Sequence, residues 1–178
     1  MESNGNKSTE MKKRTALHTK DIAQLIEENQ GLLYKVVHGY CPDVHEQEDL
    51  IQEIIFELIK SYARFDHKVK VTTWMYKVAF NMAISHYRKV KTRKKYMVPM
   101  PEKLVKIDDT NTLGVHEDIL RLRKFIQELD SLHKALIIMY LDGNSHSEIS
   151  EAMGISVSNV GTKIGRIKKQ LKKKFKNS

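Results

Sequence analysis

The side chains able to do chemistry are few and poorly arranged for catalysis. The eight histidines, His18, His38, His45, His67, His86, His116, His133 and His146, are scattered, with no pair at metal-ligand spacing. The single cysteine, Cys41, excludes an intramolecular disulfide framework and a multi-cysteine zinc site. Acids cluster only from Glu46 to Glu57, where Asp49 and Glu53 stand at i, i+4 without a third ligand at suitable spacing. A DNA-processing enzyme needs a nucleophile with supporting charges or a cluster of metal carboxylates. Neither is evident, so no catalytic residue, metal or cofactor is expected.

The chemistry on offer is that of binding phosphates and bases. Within Phe65–Tyr87 five aromatic residues, Phe65, Trp74, Tyr76, Phe80 and Tyr87, are interleaved with Lys68, Lys70 and Lys77. Rings beside cations suit single-stranded nucleic acid, where unpaired bases stack and phosphates are neutralised. Trp74 and at least one other ring are expected in the core, which leaves the loop and the outer helix face to do the binding. Net charge is +9, from 31 Lys and Arg against 22 Asp and Glu. The excess sits in two acid-free runs, His86–Tyr96 with six cations and Lys163–Lys176 with eight. The rest of the chain is acidic, so the positive charge is concentrated where a polyanion can use it. The acidic group Glu46, Asp49, Gln52, Glu53 and Glu57 would not face DNA; a protein partner with a basic surface suits it better.

These groups must be held by helices, because no strand pattern competes anywhere. At 178 residues, with 40% apolar and 30% charged, the chain can form one domain or two small ones. The N-terminus is polar and lacks the apolar core of a signal peptide, and no stretch approaches the ~20 apolar residues of a membrane span. Ile22, Leu25, Ile26, Leu33, Val36, Val37 and Tyr40 follow a helical period, with Asp21 as its cap. Cys41-Pro42-Asp43 breaks the chain. Leu50, Ile51, Ile54, Ile55, Leu58, Ile59 and Tyr62 predict a second helix with a broad buried stripe. Arg64–Val71 reads as a loop, and a helix from about Thr72 to Lys94 turns Trp74, Val78, Ala79, Met82 and Tyr87 inward. Pro99 and Pro101 mark a linker. Further helices are expected over His116–Leu129 and over Leu132–Leu141, the latter capped by Ser131 and ended by Asp142-Gly143. The expected organisation is all-α: a disordered tail over 1–18, a helical domain over 19–96, a linker over 97–115 and a second helical domain over 116–178.

Ser145–Leu171 has helix-turn-helix logic. Ser145 and Glu148 fit a capping box, Gly154 suits the positive φ of a tight turn, and Ser156 caps a last, one-sidedly basic helix. Ile149, Met153, Ile155, Val160 and Ile164 would lock the pair. Ser156, Ser158, Asn159, Thr162 and Lys163 form a short polar face fit for the major groove.

Taken together, these residues resemble a known family. Glu48–Lys89 resembles region two of bacterial sigma factors: the D-L-x-Q-E core (Asp49, Leu50, Gln52, Glu53), T-W (Thr73, Trp74), then A-x-N-x-A (Ala79, Asn81, Ala83) and basic residues. Leu141–Leu171 resembles region four. The short linker makes the layout similar to the extracytoplasmic-function (ECF) group. The resemblance implies a cytoplasmic, non-enzymatic factor that binds core RNA polymerase and directs promoter recognition, DNA melting and initiation. Its implied partners are core polymerase, promoter DNA (duplex and single-stranded non-template strand) and an anti-sigma protein. It implies that Asp49, Leu50, Gln52 and Glu53 dock on polymerase. Asp66, His67, Lys68 and Lys70, in the loop, would capture a flipped base of the minus-ten element. Lys77, Asn81, Arg88 and Lys89 would contact the duplex edge and the non-template strand. Ser156, Ser158, Asn159, Thr162, Lys163, Arg166 and Lys169 would face the minus-thirty-five element. Val71 stands where the family often has an aromatic, and Gly161 and Gly165 where it often has longer side chains. The alternative is a stand-alone helix-turn-helix regulator, which binds its operator without polymerase, usually as a symmetric dimer.

Overall fold

The computed structural model describes residues 21–96 and 115–176, and every regular element among them is α-helical. The helices are α1 (residues 21–28), α2 (Gln30–Tyr40), α3 (Val44–Tyr62), α4 (Val71–Tyr96), α5 (Val115–Glu128), α6 (Ser131–Leu141), α7 (His146–Met153) and α8 (Val157–Lys176). The tail assigned to 1–18 lies outside the described residues, as does the linker apart from Val115. No described helix is long and apolar enough to cross a membrane.

The first apolar run is two helices, not one. Asn29 (φ −117°, ψ 20°) interrupts it. Its Nδ2 donates to the Leu25 carbonyl at 2.8 Å and its N–H to the Ile26 carbonyl at 3.2 Å, closing α1. Asn offers the backbone local partners that compete with the helix ladder. The helical phase survives the break, since Ile22, Ile26, Leu33, Val36, Val37 and Tyr40 are all buried. Asp21 lies inside α1 rather than ahead of it as a cap.

Asp43 starts α3 by accepting the N–H groups of His45 and Glu46. Leu50, Ile54 and Leu58 are wholly buried along one row. The adjacent row, Ile51 and Ile55, is half-buried and emerges at Ile59, which is 43% exposed. Ile59 therefore lies outside the stripe expected from its spacing.

Helix α4 is the centre of the N-terminal half and packs against α2, α3 and α7. Enclosure on several sides buries Thr73, Met75, Tyr76, Ala79, Phe80 and Ala83, while Trp74, Val78, Met82 and Tyr87 are only half-buried at the margin. The inward face is thus wider than, and rotated from, the expected one. Tyr76 and Phe80 stack on each other in the core, 5.5 Å apart at 10°, and present no ring to solvent.

Helix α6 is buried on nearly all sides from Lys134 to Met139. Its cap is Asp130, which accepts the N–H groups of Leu132 and His133; Ser131, the expected cap, is the first helical residue. Both residue types cap well, and the carboxylate one position earlier takes the role. Lys134 lies with Nζ over the rings of Tyr40 and Tyr87, at 5.6 and 5.0 Å.

The two halves share one continuous apolar cluster. Helix α2 packs on α5 and α6, and α4 on α7. Gly39 permits the close approach, since a Cβ there would stand 2.5 Å from Ile138 Cδ1. Tyr40 donates its hydroxyl to the Ser131 carbonyl, and Asp142 accepts both the Tyr76 hydroxyl and Lys35 Nζ. Lys70 Nζ pairs with Glu148 at 2.6 Å.

Candidate nucleic-acid and partner interfaces

On α3 the burial of Leu50, Ile54 and Leu58 turns Asp49, Gln52 and Glu53 outward, and all three are exposed. Leu50, placed among the docking residues by sequence, is 0% exposed. It fixes the orientation of that face without being part of it. Phe56, three and four residues beyond Glu53 and Gln52, shares the face and is 67% exposed. The face therefore offers an aromatic ring as well as acids to a partner. Sequence reasoning missed it because Phe56 reads as one more apolar residue in an apolar helix.

The loop between α3 and α4 carries a ladder of rings. Phe65 stacks on Trp74 at 4.9 Å and 25°, Tyr62 stands 6.5 and 6.0 Å from these two rings, and His67 lies 4.5 Å from Phe65. Phe65, Trp74 and Tyr62 are half-buried, while His67 is exposed. His67 takes φ +57°, a left-handed conformation that few non-glycine residues adopt. Held strain of this kind tends to cluster at binding sites. Asp66 accepts the Lys68 N–H at 3.2 Å and pairs with Lys68 Nζ at 2.8 Å. That lysine holds the Asp66 carboxyl below its usual range. Val71 is half-buried in the first turn of α4 and packs on the core.

Lys77, Asn81, Arg88 and Lys89 are exposed on α4. Asn81, Arg88 and Lys89 line an open groove of about 790 Å³ whose far wall is Met153 of α7. The side chains of Arg93, Lys94 and Lys95 lie outside the described residues. The ring ladder meets the start of α4 at Trp74, and the basic face follows further along the same helix, where Met153 of the C-terminal half stands across from it.

In that half the local signals of the sequence produce the expected motif. Glu148 N–H donates to Ser145 Oγ at 3.2 Å, and Ser145 N–H donates to the Glu148 carboxylate at 2.7 Å. Gly154 takes φ +66°. Asn159 N–H donates to Ser156 Oγ at 3.3 Å, capping α8. Val160, Ile164 and Ile167 are buried against the bundle. This turns Ser156, Ser158, Asn159, Thr162, Arg166 and Lys169 out to solvent and leaves Lys163 half-exposed. Thr162 Oγ1 donates to the Ser158 carbonyl at 3.0 Å, which leaves its lone pairs for a donor on a base. Lys70 holds Glu148 down to about 2, aided by the Ser145 hydroxyl and N–H.

The fold also makes a cluster that histidine spacing did not show. It brings His86 of α4 to Cys41 and Glu46, with ligand atoms within 4.8 Å of one another.

Comparison with known proteins agrees with this geometry. The profile of Sigma-70 region 2 matches residues 25–93, and that of Sigma-70, region 4 matches residues 119–171. Between them they take in well over half of the chain. The ECF RNA polymerase sigma factor SigW of Bacillus subtilis is 26% identical over 175 residues, covering 88% of this chain and 89% of that protein. The RNA polymerase sigma factor HrpL of Pseudomonas syringae pv. syringae is 26% identical over 167 residues, covering 86% of each. Among solved structures, the sigma factor RpoE of Bartonella quintana, in complex with the anti-sigma factor NepR, superposes with a TM-score of 0.72 at 17% identity. That likeness covers 88% of this chain and 98% of that one, and it shows the same fold. With both matched regions present, in order, on the helices described above, the chain belongs to the sigma-70 family, in its extracytoplasmic-function group.

Proposed function

We propose that the chain acts in the cytoplasm as an ECF sigma factor with a division of labour between two domains, residues 19–96 and 116–178. Asp49, Gln52 and Glu53, joined by Phe56, dock on core RNA polymerase. Asp66, His67, Lys68 and Lys70 form the base-capturing loop of the minus-ten site, and Lys77, Asn81, Arg88 and Lys89 hold the adjoining DNA. Ser156, Ser158, Asn159, Thr162, Lys163, Arg166 and Lys169 read or anchor the minus-thirty-five duplex. An anti-sigma partner is the natural inhibitor, since covering the acidic face or the ring ladder is enough to block the factor.

The observation that carries this reading is the ring ladder beside a basic helix face. Extruding a base from a duplex costs a few kcal/mol. Stacking on an aromatic ring returns about 1–3 kcal/mol per base, so Phe65, Trp74 and the strained His67 offer an offset of the right size. A stand-alone regulator has no use for that ladder or for Phe56 among acids.

The test is gel filtration with bacterial core RNA polymerase. The wild type should co-elute with it, and the double variant Asp49→Ala, Glu53→Ala should not. Absence of wild-type co-elution, combined with tight operator binding by the protein alone, would establish the stand-alone regulator instead.

A further inference from the structure

Cys41 closes α2, Glu46 stands in the first turn of α3 and His86 lies in the second half of α4. None of the three is among the polymerase- and DNA-contacting residues proposed above, although Glu46 begins the acidic group of α3. Cys41 is 1% exposed, and the side chains of His86 and Glu46 are 17% and 37% exposed, so the cluster opens to solvent on the Glu46 side. His86 Nε2 is shut off from solvent and has no hydrogen-bond partner. Its distance of 3.9 Å to Glu46 Oε2 is too long for a hydrogen bond. Buried polar atoms are nearly always bonded, so an orphaned ring nitrogen calls for an explanation.

We propose that Cys41, Glu46 and His86 form a binding site for one divalent cation of the zinc type. One sulfur, one imidazole nitrogen and one carboxylate oxygen are a zinc-like donor set, not a magnesium- or calcium-like one. At bond lengths of about 2.0–2.3 Å, a tetrahedral ion wants its ligand atoms roughly 3.5 Å apart. The atoms of this cluster already lie within 4.8 Å of one another. Glu46, whose side chain is the most open of the three, is the ligand best placed to adjust. Three protein ligands leave a fourth position for water or for a donor from a partner.

The charges are compatible with this. Binding forms a sulfur–metal bond and releases the thiol proton to solvent, so thiolate and carboxylate together neutralise a doubly charged ion. Without an ion the thiol stays protonated, because burial, then Glu46 and Asp43, push it up to about 11. Lys134 is the cation whose charge reaches Cys41, and burial lowers its own hold on its proton. An ion here would tie the α2–α3 corner to α4, two residues from Arg88 and three from Lys89. Occupancy would stiffen the platform behind the basic face without touching DNA.

The chain has one cysteine, so a thiolate-to-metal charge-transfer band can only report Cys41. The experiment is titration of chelator-treated full-length protein with cobalt(II), followed by zinc(II). One equivalent of cobalt should give a near-ultraviolet charge-transfer band and intense tetrahedral visible bands, bleached by zinc. Cys41→Ser should remove the charge-transfer band. His86→Gln should weaken cobalt affinity at least tenfold, and zinc should raise the Tm of the wild type only. If Cys41→Ser fails to fold, Glu46→Gln, at a more exposed position, should weaken cobalt affinity while the circular dichroism stays native. Absence of the charge-transfer band in the wild type would overturn the proposal. So would equal cobalt affinity in the wild type, His86→Gln and Glu46→Gln, which would mean scattered surface histidines only.

Discussion

Tyr76→Phe should loosen the contact between the two halves while leaving each half folded. The substitution removes one hydroxyl, which donates to Asp142 across the junction. The ring stays, with its stack on Phe80 at 5.5 Å. Burial, then the Asp142 carboxylate, pushes the phenol well above its usual value, so it is a donor at any pH where the protein is folded. A hydrogen bond to a charged acceptor contributes about 1.5–3 kcal/mol. Asp142 keeps Lys35, and its side chain is 23% exposed. The low end therefore applies, about 1.5 kcal/mol, or roughly a tenfold fall in the ratio of closed to open forms. Dyes on Lys60→Cys and Lys172→Cys would read the distance between the halves, because Cys41, at 1% exposure, is shielded from the label. Energy transfer should fall in Tyr76→Phe. Lys35→Met should change it much less, since a 53% exposed lysine contributes at most about 1 kcal/mol. Unchanged transfer together with a lowered Tm would refute the reasoning. The hydroxyl would then be holding a half together internally, not joining the two.

Two further outcomes follow from the helix-turn-helix. Gly165→Ala should stabilise α8 by about 1 kcal/mol, because a Cβ there meets nothing within 4 Å. Gly161→Ala should do nearly as well, its Cβ standing 3.6 Å from the His146 ring; thermal melts check both, and a lowered Tm would mean the glycines hold a conformation alanine cannot. The Glu148 carboxyl is depressed from 4.5 to about 2 by Lys70 and Ser145. Depression of a carboxyl means its contribution is complete above about pH 4.5 and is lost as pH falls towards 2. Carboxyl NMR should place its midpoint near 2 and Lys70→Ala should raise it; a wild-type midpoint at 4.5 would remove the Lys70 tie.

Features of the chain set by residues close in sequence were legible, and those set by distant ones were not. The Ser145–Glu148 box, the left-handed Gly154, the Ser156 cap and the Asp142-Gly143 stop each depend on at most four neighbours, and all are present. Asn29 broke a run whose apolar period passes straight through it, because a side-chain bond to Leu25 leaves no mark on periodicity. Helix α4 misled most. A helix packed on three sides has no clean polar face, so Tyr76 and Phe80 looked available for bases while they fill the core. Lys134 is buried 93 residues along the chain from Cys41, the thiol its charge reaches. No local pattern announces such a pair. The same holds for Phe56, whose exposure depends on which row of α3 meets α4.

The closed arrangement and the proposed function make opposing demands, and their sizes can be compared. Minus-ten and minus-thirty-five elements lie about 25 base pairs apart, which at 3.4 Å per pair is roughly 85 Å of duplex. A compact chain of this length has a radius of gyration of about 16 Å, and so a diameter near 40 Å. Halves in contact cannot reach both elements, and the α4 groove faces Met153 rather than DNA. With the DNA contacts proposed above, opening precedes or accompanies promoter binding. The ties across the junction suit such a step. Lys70 and Glu148 have side chains 74% and 19% exposed, so solvent screening makes their bond worth less than the depressed Glu148 carboxyl alone would imply. Each also has a second place, Lys70 in the loop proposed to capture a base and Glu148 in the cap of the helix-turn-helix. A ligand that binds the open form alone shifts the balance by its differential affinity. The proposed docking face of α3, with Asp49, Gln52 and Glu53 exposed in the closed arrangement, leaves core polymerase room to supply that difference.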